Sequence, residues 1–161
     1  MLEFQNVTFR YPEDHLLMME NLSFSVEDRA FVSVIGASGC GKSTIFRLIN
    51  GLEQPDEGEI LVDGKPIAKL RQYSAFMPQK DLLFPWRSVE KNICLPMELQ
   101  GVPEKEQDER CAEVLEQVGL LDYRKKYPKE LSGGMKQRVA FARTLLSGAD
   151  MLLLDELFSA L

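Results

Sequence analysis

The stretch AFVSVIGASGCGKSTIFRLING, residues 30–51, restricts the fold more than any other. Residues 30–36, AFVSVIG, form a near-continuous apolar run. Such a run reads as a strand covered on both faces, as in a parallel sheet. GASGCGKST (36–44) follows and fits G-x-x-x-x-G-K-[ST] at Gly36, Gly41, Lys42 and Ser43. STIFRLING then reads as a helix. Buried strand, glycine turn and helix start, in that order, belong to a layered α/β fold. Glycines let the backbone curl so that its N–H groups point inward at an anion, and the helix start adds its positive dipole end. The loop therefore reads as a cradle for nucleotide phosphates, formed by Gly36, Ala37, Ser38, Gly39, Cys40, Gly41, Lys42, Ser43 and Thr44. Lys42 would reach the β- and γ-phosphates, and the Ser43 hydroxyl would hold Mg²⁺. A chance match to the pattern is on the order of 10⁻⁵–10⁻⁴ per starting position, so a fortuitous glycine turn is the weaker reading.

The other informative end is DMLLLDELFSAL, residues 150–161. Met151 to Leu154 read as a strand that runs into Asp155 and Glu156. Alone, this is an acidic strand end in solvent. Paired with a phosphate loop, Asp155 reads as a Mg²⁺ ligand through the ion's water shell. Glu156 reads as the general base that polarises an attacking water.

Between these ends the texture changes near residue 85. LEFQNVTF (2–9) and LSFSV (22–26) alternate as half-buried strands do. EILVDGKPI (59–67) holds an Asp63-Gly64 hairpin signal, and YSAFMP (73–78) is a short strand. SVEKNICLPMELQG (88–101) reads as a helix capped by Ser88, bent by Pro96 and stopped by Gly101. In residues 103–119, Cys111, Val114, Leu115 and Val118 share one helical face, and Gly119 ends it. LSGGMKQRVAFARTLLSG (131–148) is another helix, with Ser132 at its start. Its glycine pair suits either a plain capped helix or a second anion site, one that serves a nucleotide held by another copy across a two-fold axis.

A chain of 161 residues is read as one domain. Its net charge of −6 argues against a nucleic-acid partner, since phosphate backbones call for clustered Lys and Arg. Three cysteines without a CxxC pair suit a reducing cytosol. No basic start precedes a long apolar run, so no signal peptide is read. No stretch approaches the about 20 apolar residues that span a bilayer. Any membrane-spanning part is expected in another subunit.

GASGCGKST, Gln79, LSGGMKQR and LLLDE, in this order, resemble the nucleotide-binding subunit of an ATP-binding-cassette (ABC) transporter. MPQKDLLFPWRSVEKNI and LPMELQGVPEKE are most similar to importers of the nitrate, sulfonate and taurine type. The resemblance implies an α/β P-loop NTPase core with a parallel sheet, an N-terminal antiparallel β region and a helical insert. The core is expected over about residues 1–84 and 137–161, and the helical subdomain over about 85–136. ATP and Mg²⁺ are the implied cofactors. Tyr11 would stack on adenine, unless it is a turn aromatic before Pro12. Gln79 would reach Mg²⁺ and the attacking water, beside Lys42 and Glu156 in catalysis and Ser43 and Asp155 at the metal. Ser132, Gly133 and Gly134 would meet the γ-phosphate held by a second copy in a head-to-tail dimer. The groove near Phe84, Pro85 and Trp86 would receive a transmembrane permease subunit, with a solute-binding protein involved indirectly. The implied location is the cytoplasmic face of the cell membrane.

The pattern is departed from in two places. Leu157 stands where the family has Pro, and the family's later Asp, strands and His have no counterpart before Leu161. His15 lies too early to replace that histidine. The expectation is an incomplete domain whose C-terminal strands are missing and whose hydrolysis is weak. Three functions are weighed: the ATPase of an importer for a small anionic solute, a nucleotide-binding module with little or no hydrolysis, and a soluble cassette protein of DNA repair or translation.

Overall fold

The computed structural model describes residues 1–12, 16–70 and 72–155. The chain forms two compact units, Met1–Tyr73 and Ser74–Leu161.

The first unit is built on an antiparallel sheet of order β2-β1-β3-β4, with β1 (Leu2–Arg10), β2 (Leu17–Val26), β3 (Glu57–Val62) and β4 (Lys65–Pro66). The alternation expected for β1 changes phase along the strand. Leu2 and Phe4 are buried, and then Val7 and Phe9. The change falls at Asn6, whose φ is 51°, where the pairing with β2 shifts register between Phe4 and Val7. One extra residue at a bulge turns the even face into the odd one. A Cβ on Gly58 of β3 would lie 2.4 Å from the carbonyl oxygens of both Gln5 and Asn6. No side chain fits where the bulge crosses β3. Phe4 stacks on Phe24 across the β1–β2 pair, with centroids 4.4 Å apart. Asp63 and Gly64, at φ 50° and 71°, make the two-residue hairpin between β3 and β4. Helix α1 (Lys42–Ile49) buries Thr44, Leu48 and Ile49.

One expectation fails. Residues 30–36 form no strand and pair with no strand among the described residues. Phe31 is 90% exposed and Ile35 92%. An apolar, β-branched run fits a pleated, covered environment, but a strand exists through its neighbours' hydrogen bonds. Here the run has apolarity without a pairing neighbour.

The second unit carries a two-stranded parallel sheet, β5 (Ser74–Met77) with β6 (Met151–Leu154), paired from Ser74–Met151 to Met77–Leu154. Between the strands lie α2 (Val89–Ile93), α3 (Leu95–Leu99), α4 (Glu104–Gln117) and α5 (Gly133–Leu145). The single bent helix expected over 88–101 is two short helices. Ser88 caps α2 by accepting from the Lys91 N–H. Pro96 has no N–H to donate into α2 and instead sits in the first turn of α3. Val89, Ile93, Cys94, Met97, Cys111, Leu115, Leu120, Leu131, Val139, Ala142 and Leu146 form the core of this unit. Each fully buried large side chain there contributes about 1.5–3 kcal/mol of hydrophobic stabilisation. The face expected for α4 is present: Cys111 and Leu115 are buried, with Val114 and Val118 packed beside them.

Candidate functional site

The loop 36–44 curls around its own lysine. Gly39 and Gly41 hold φ of 81° and 96°, a region open to glycine at no steric cost. The Cys40 N–H donates to Ala37 O at 3.3 Å, closing the turn. The Lys42 ammonium donates to Gly36 O and Ala37 O, both at 2.8 Å. A Cβ on Gly36 would lie 2.6 Å from Cys40 Sγ, so a larger residue there would turn the Cys40 side chain aside. The result is a cation held by two backbone carbonyls at the start of α1, with the exposed Ser43 next to it in sequence. In a chain of net charge −6 this is a local positive site, suited to a phosphate group. These groups also fit Mg²⁺: a hydroxyl beside a phosphate cradle is a hard oxygen donor next to where phosphate oxygens would lie.

Tyr11 is tied to the same loop. Its hydroxyl lies 3.0 Å from Thr44 Oγ1, and its ring meets Phe9 edge-on, 5.0 Å between centroids. Thr44 is 4% exposed, so its hydroxyl needs a partner, and Tyr11 is one.

In the second unit, two expected residues lie at one end of the parallel sheet. The Asp155 N–H donates to Met77 O at 2.9 Å, extending the ladder by one residue past β6. Gln79 leaves β5 at that same carboxyl end, where α/β sheets bind ligands. Gln79 and Gly133 both line an open cavity of about 400 Å³, with Lys80, Asp81, Leu82 and Gln137. Glu156, His15 and Leu157 lie outside the described residues.

Ser132 caps α5, accepting from the Met135 N–H at 3.3 Å. A Cβ placed on Gly133 or Gly134 meets nothing within 4 Å. Neither glycine has a positive φ. The fold of this chain therefore gives no packing or backbone reason for glycine at either position.

Two positioning groups have no role in the motifs quoted from the sequence. Arg143 of α5 donates to Asp81 O at 2.9 Å and Leu82 O at 3.0 Å, pinning the segment after Gln79. Burial lowers its pKa. Asn92 is fully buried and holds the 84–88 turn from inside. Its side-chain oxygen accepts from the Phe84 N–H at 2.8 Å, and its nitrogen donates to the carbonyls of Phe84, Arg87 and Ser88. A signal for Asn92 exists: it lies three residues after Val89 on the inward face of a helix, where a polar side chain demands partners. Nothing in the sequence marks Arg143 as a ligand for backbone carbonyls. Above the turn held by Asn92, Phe84 and Trp86 have ring centroids 5.2 Å apart, and Trp86 is 71% exposed.

The ABC transporter family model matches residues 19–159. The aliphatic sulfonates import ATP-binding protein SsuB of a Bacillus cereus strain is 47% identical over 144 residues, covering 89% of this chain and 56% of that protein. The formylaminopyrimidine import ATP-binding protein ThiZ of Halalkalibacterium halodurans is 42% identical, covering 100% and 62%. The chain thus spans little more than half the length of these relatives. Among solved structures, the dimeric ATP-binding cassette MJ0796 in a post-hydrolysis state, bound to ADP and Pi, is 30% identical. It matches all of this chain and 76% of its own, at a TM-score of 0.88.

Proposed function

The chain belongs to the ABC transporter family, and from that premise we propose that it is the ATP-binding and ATP-hydrolysing subunit of an importer. The observation that carries this reading is the Lys42 ammonium held inside the loop 36–44 at the head of α1. In this reading the loop amides and Lys42 bind the β- and γ-phosphates, and Tyr11 offers its ring to the adenine. Ser43, Gln79 and Asp155 hold Mg²⁺, which when bound would offset charge on the phosphate oxygens. Glu156 takes a proton from the attacking water. Ser132, Gly133 and Gly134 serve the nucleotide of a second copy, and their open surroundings support that role. The dimeric state of the similar cassette supports the pairing. The permease docks near Phe84, Pro85 and Trp86, which places the subunit on the cytoplasmic face of the membrane. No helix among the described residues is long and apolar enough to cross it. The solute class we favour is a small sulfonate, after the relative at 47% identity. The formylaminopyrimidine relative, at 42%, makes transport assays with both solutes the discriminating measurement.

Calorimetry with Mg-ATP, followed by phosphate release, tests the reading. The folded chain binds Mg-ATP, Lys42→Ala abolishes binding, and Glu156→Gln binds without releasing phosphate. Absence of binding in folded protein overturns it.

A further inference from the structure

A charge cluster in the second unit lies outside the residues assigned to nucleotide, metal or permease. Glu90, in α2, is 8% exposed. Its carboxylate accepts from Arg124 Nη2 at 2.6 Å and from Lys125 Nζ at 2.7 Å. Arg124 Nη2 also pairs with Asp108 of α4. The backbone repeats the grip: the Val89 N–H donates to Lys126 O at 2.8 Å and the Glu90 N–H to Arg124 O at 3.1 Å. Two amides in the first turn of α2, which lack helical partners, are thus satisfied by the 124–126 turn.

That turn leads directly to Ser132. From 126 to 131 the chain makes short turns, with Lys126 N–H to Tyr123 O at 2.9 Å, Glu130 N–H to Tyr127 O at 2.9 Å and Leu131 N–H to Pro128 O at 3.2 Å. Leu131 is buried in the core immediately before the cap. The segment is thus anchored at 124–126 by Glu90 and at 131 by the core, with little slack between. The helix that carries Glu90 also carries Asn92, which holds the 84–88 turn.

We propose that Glu90 is a positioning residue for the Ser132–Gly134 turn, acting through Arg124 and Lys125. Its role there rests on the functional reading above, in which that turn meets a nucleotide held by a second copy. One buried carboxylate with two charge-assisted bonds fixes the entry of α5 and therefore the direction in which the cap and glycine pair point. By the same attachment, the exposed Phe84–Trp86 edge and the glycine turn are held to one helix.

The test compares the full chain with Glu90→Gln, Glu90→Asp and Lys125→Ala. Lys125 is 78% exposed, so its replacement breaks one bond without threatening the fold. Hydrogen exchange without nucleotide reads the positioning directly. Losing a charged hydrogen bond should speed exchange at residues 131–136 about tenfold in Glu90→Gln and about threefold in Lys125→Ala, with β5 and β6 unchanged. Glu90→Asp should recover part of the effect. Calorimetry should leave Mg-ATP affinity within about twofold of the parent, while ATP-driven self-association weakens about tenfold. Unchanged exchange at 131–136, or equal acceleration across the whole second unit, overturns the proposal. So does faster exchange with undiminished self-association. A parent chain that binds no Mg-ATP sinks the functional reading separately, because the exchange measurement involves no nucleotide.

Discussion

The hydroxyl of Tyr11 lies 3.0 Å from that of Thr44, in the first turn of the helix that follows the glycine loop. This gives Tyr11 two separable properties, a hydrogen bond to the loop's helix and a partly exposed ring. Tyr11→Phe removes the first and keeps the second. Stability should fall by about 1–3 kcal/mol, the cost of leaving the buried Thr44 hydroxyl without this partner, with ATP affinity nearly unchanged. Tyr11→Ala removes both, and losing a ring–base stack should cost ATP affinity about 1–3 kcal/mol more. Denaturant melts and calorimetry on both variants decide it. Equal ATP affinity in Tyr11→Ala and the parent would leave Tyr11 as a brace for Thr44 alone.

Much of this arrangement is legible in the sequence because it depends on local chemistry. The glycine loop, the Ser88 and Ser132 caps, the Asp63-Gly64 hairpin and the α4 face each follow from residue type at short spacing. What depends on distant neighbours is not legible. The run 30–36 has strand composition, but pairing decides whether a strand forms, and none of the described strands pairs with it. The bulge at Asn6 and its fit to Gly58 join residues more than fifty positions apart. Arg143 meets the carbonyls of Asp81 and Leu82, and backbone carbonyls carry no sequence signature at all.

The three cysteines should react unequally. Cys40 is exposed in the glycine loop, while Cys94 and Cys111 are buried. Contact with Cys94, and after it burial, raises the pKa of Cys111, and a thiol that resists ionisation is a poor nucleophile. Burial shields Cys94 as well, so a maleimide under native conditions should label one site, Cys40, as peptide mass mapping would show. Because Cys40 Sγ lies 3.9 Å from the Lys42 ammonium inside the loop, bound Mg-ATP should slow that labelling by about tenfold or more, the factor expected when most of the protein is liganded. Labelling indifferent to saturating Mg-ATP would place the nucleotide elsewhere.

Acid should loosen the second unit in a defined window. Hydrogen bonding from Arg124, the largest cause, and from Lys125 lowers the Glu90 pKa from 4.5 to about 2. Between these values the unfolded chain binds more protons than the folded one, so stability rises with pH there. The contribution of Glu90 is fully present above pH 4.5 and is lost as the pH falls toward about 2. Bonds to charged groups put the loss on the order of 2 kcal/mol. Asp108 faces Arg124 as well. Chemical denaturation at steps from pH 6 to about pH 2.5 should therefore show a slope in the parent. Glu90→Gln should flatten it. An identical slope in both proteins would assign the acid sensitivity to other carboxylates, Glu130 among them, whose pKa is also lowered.

Gly134→Ala separates folding from function most cleanly. A Cβ at this position meets nothing within 4 Å, and the backbone φ is not positive, so the chain itself has no objection to alanine. Inside a helix alanine is favoured over glycine by up to about 1 kcal/mol, less in the first turn, where Gly134 lies. The variant should melt at the same temperature as the parent or slightly higher. If the glycine pair exists for the close approach of a nucleotide held by a second copy, the added methyl intrudes on that approach. ATP-driven self-association and phosphate release should then fall by about tenfold or more, the scale of a lost transition-state contact, while Mg-ATP binding at loop 36–44 stays unchanged. A stabilised variant with full self-association and turnover would mean that this glycine serves neither the fold nor the nucleotide, and the shared-site reading of the Ser132–Gly134 turn would have to be given up.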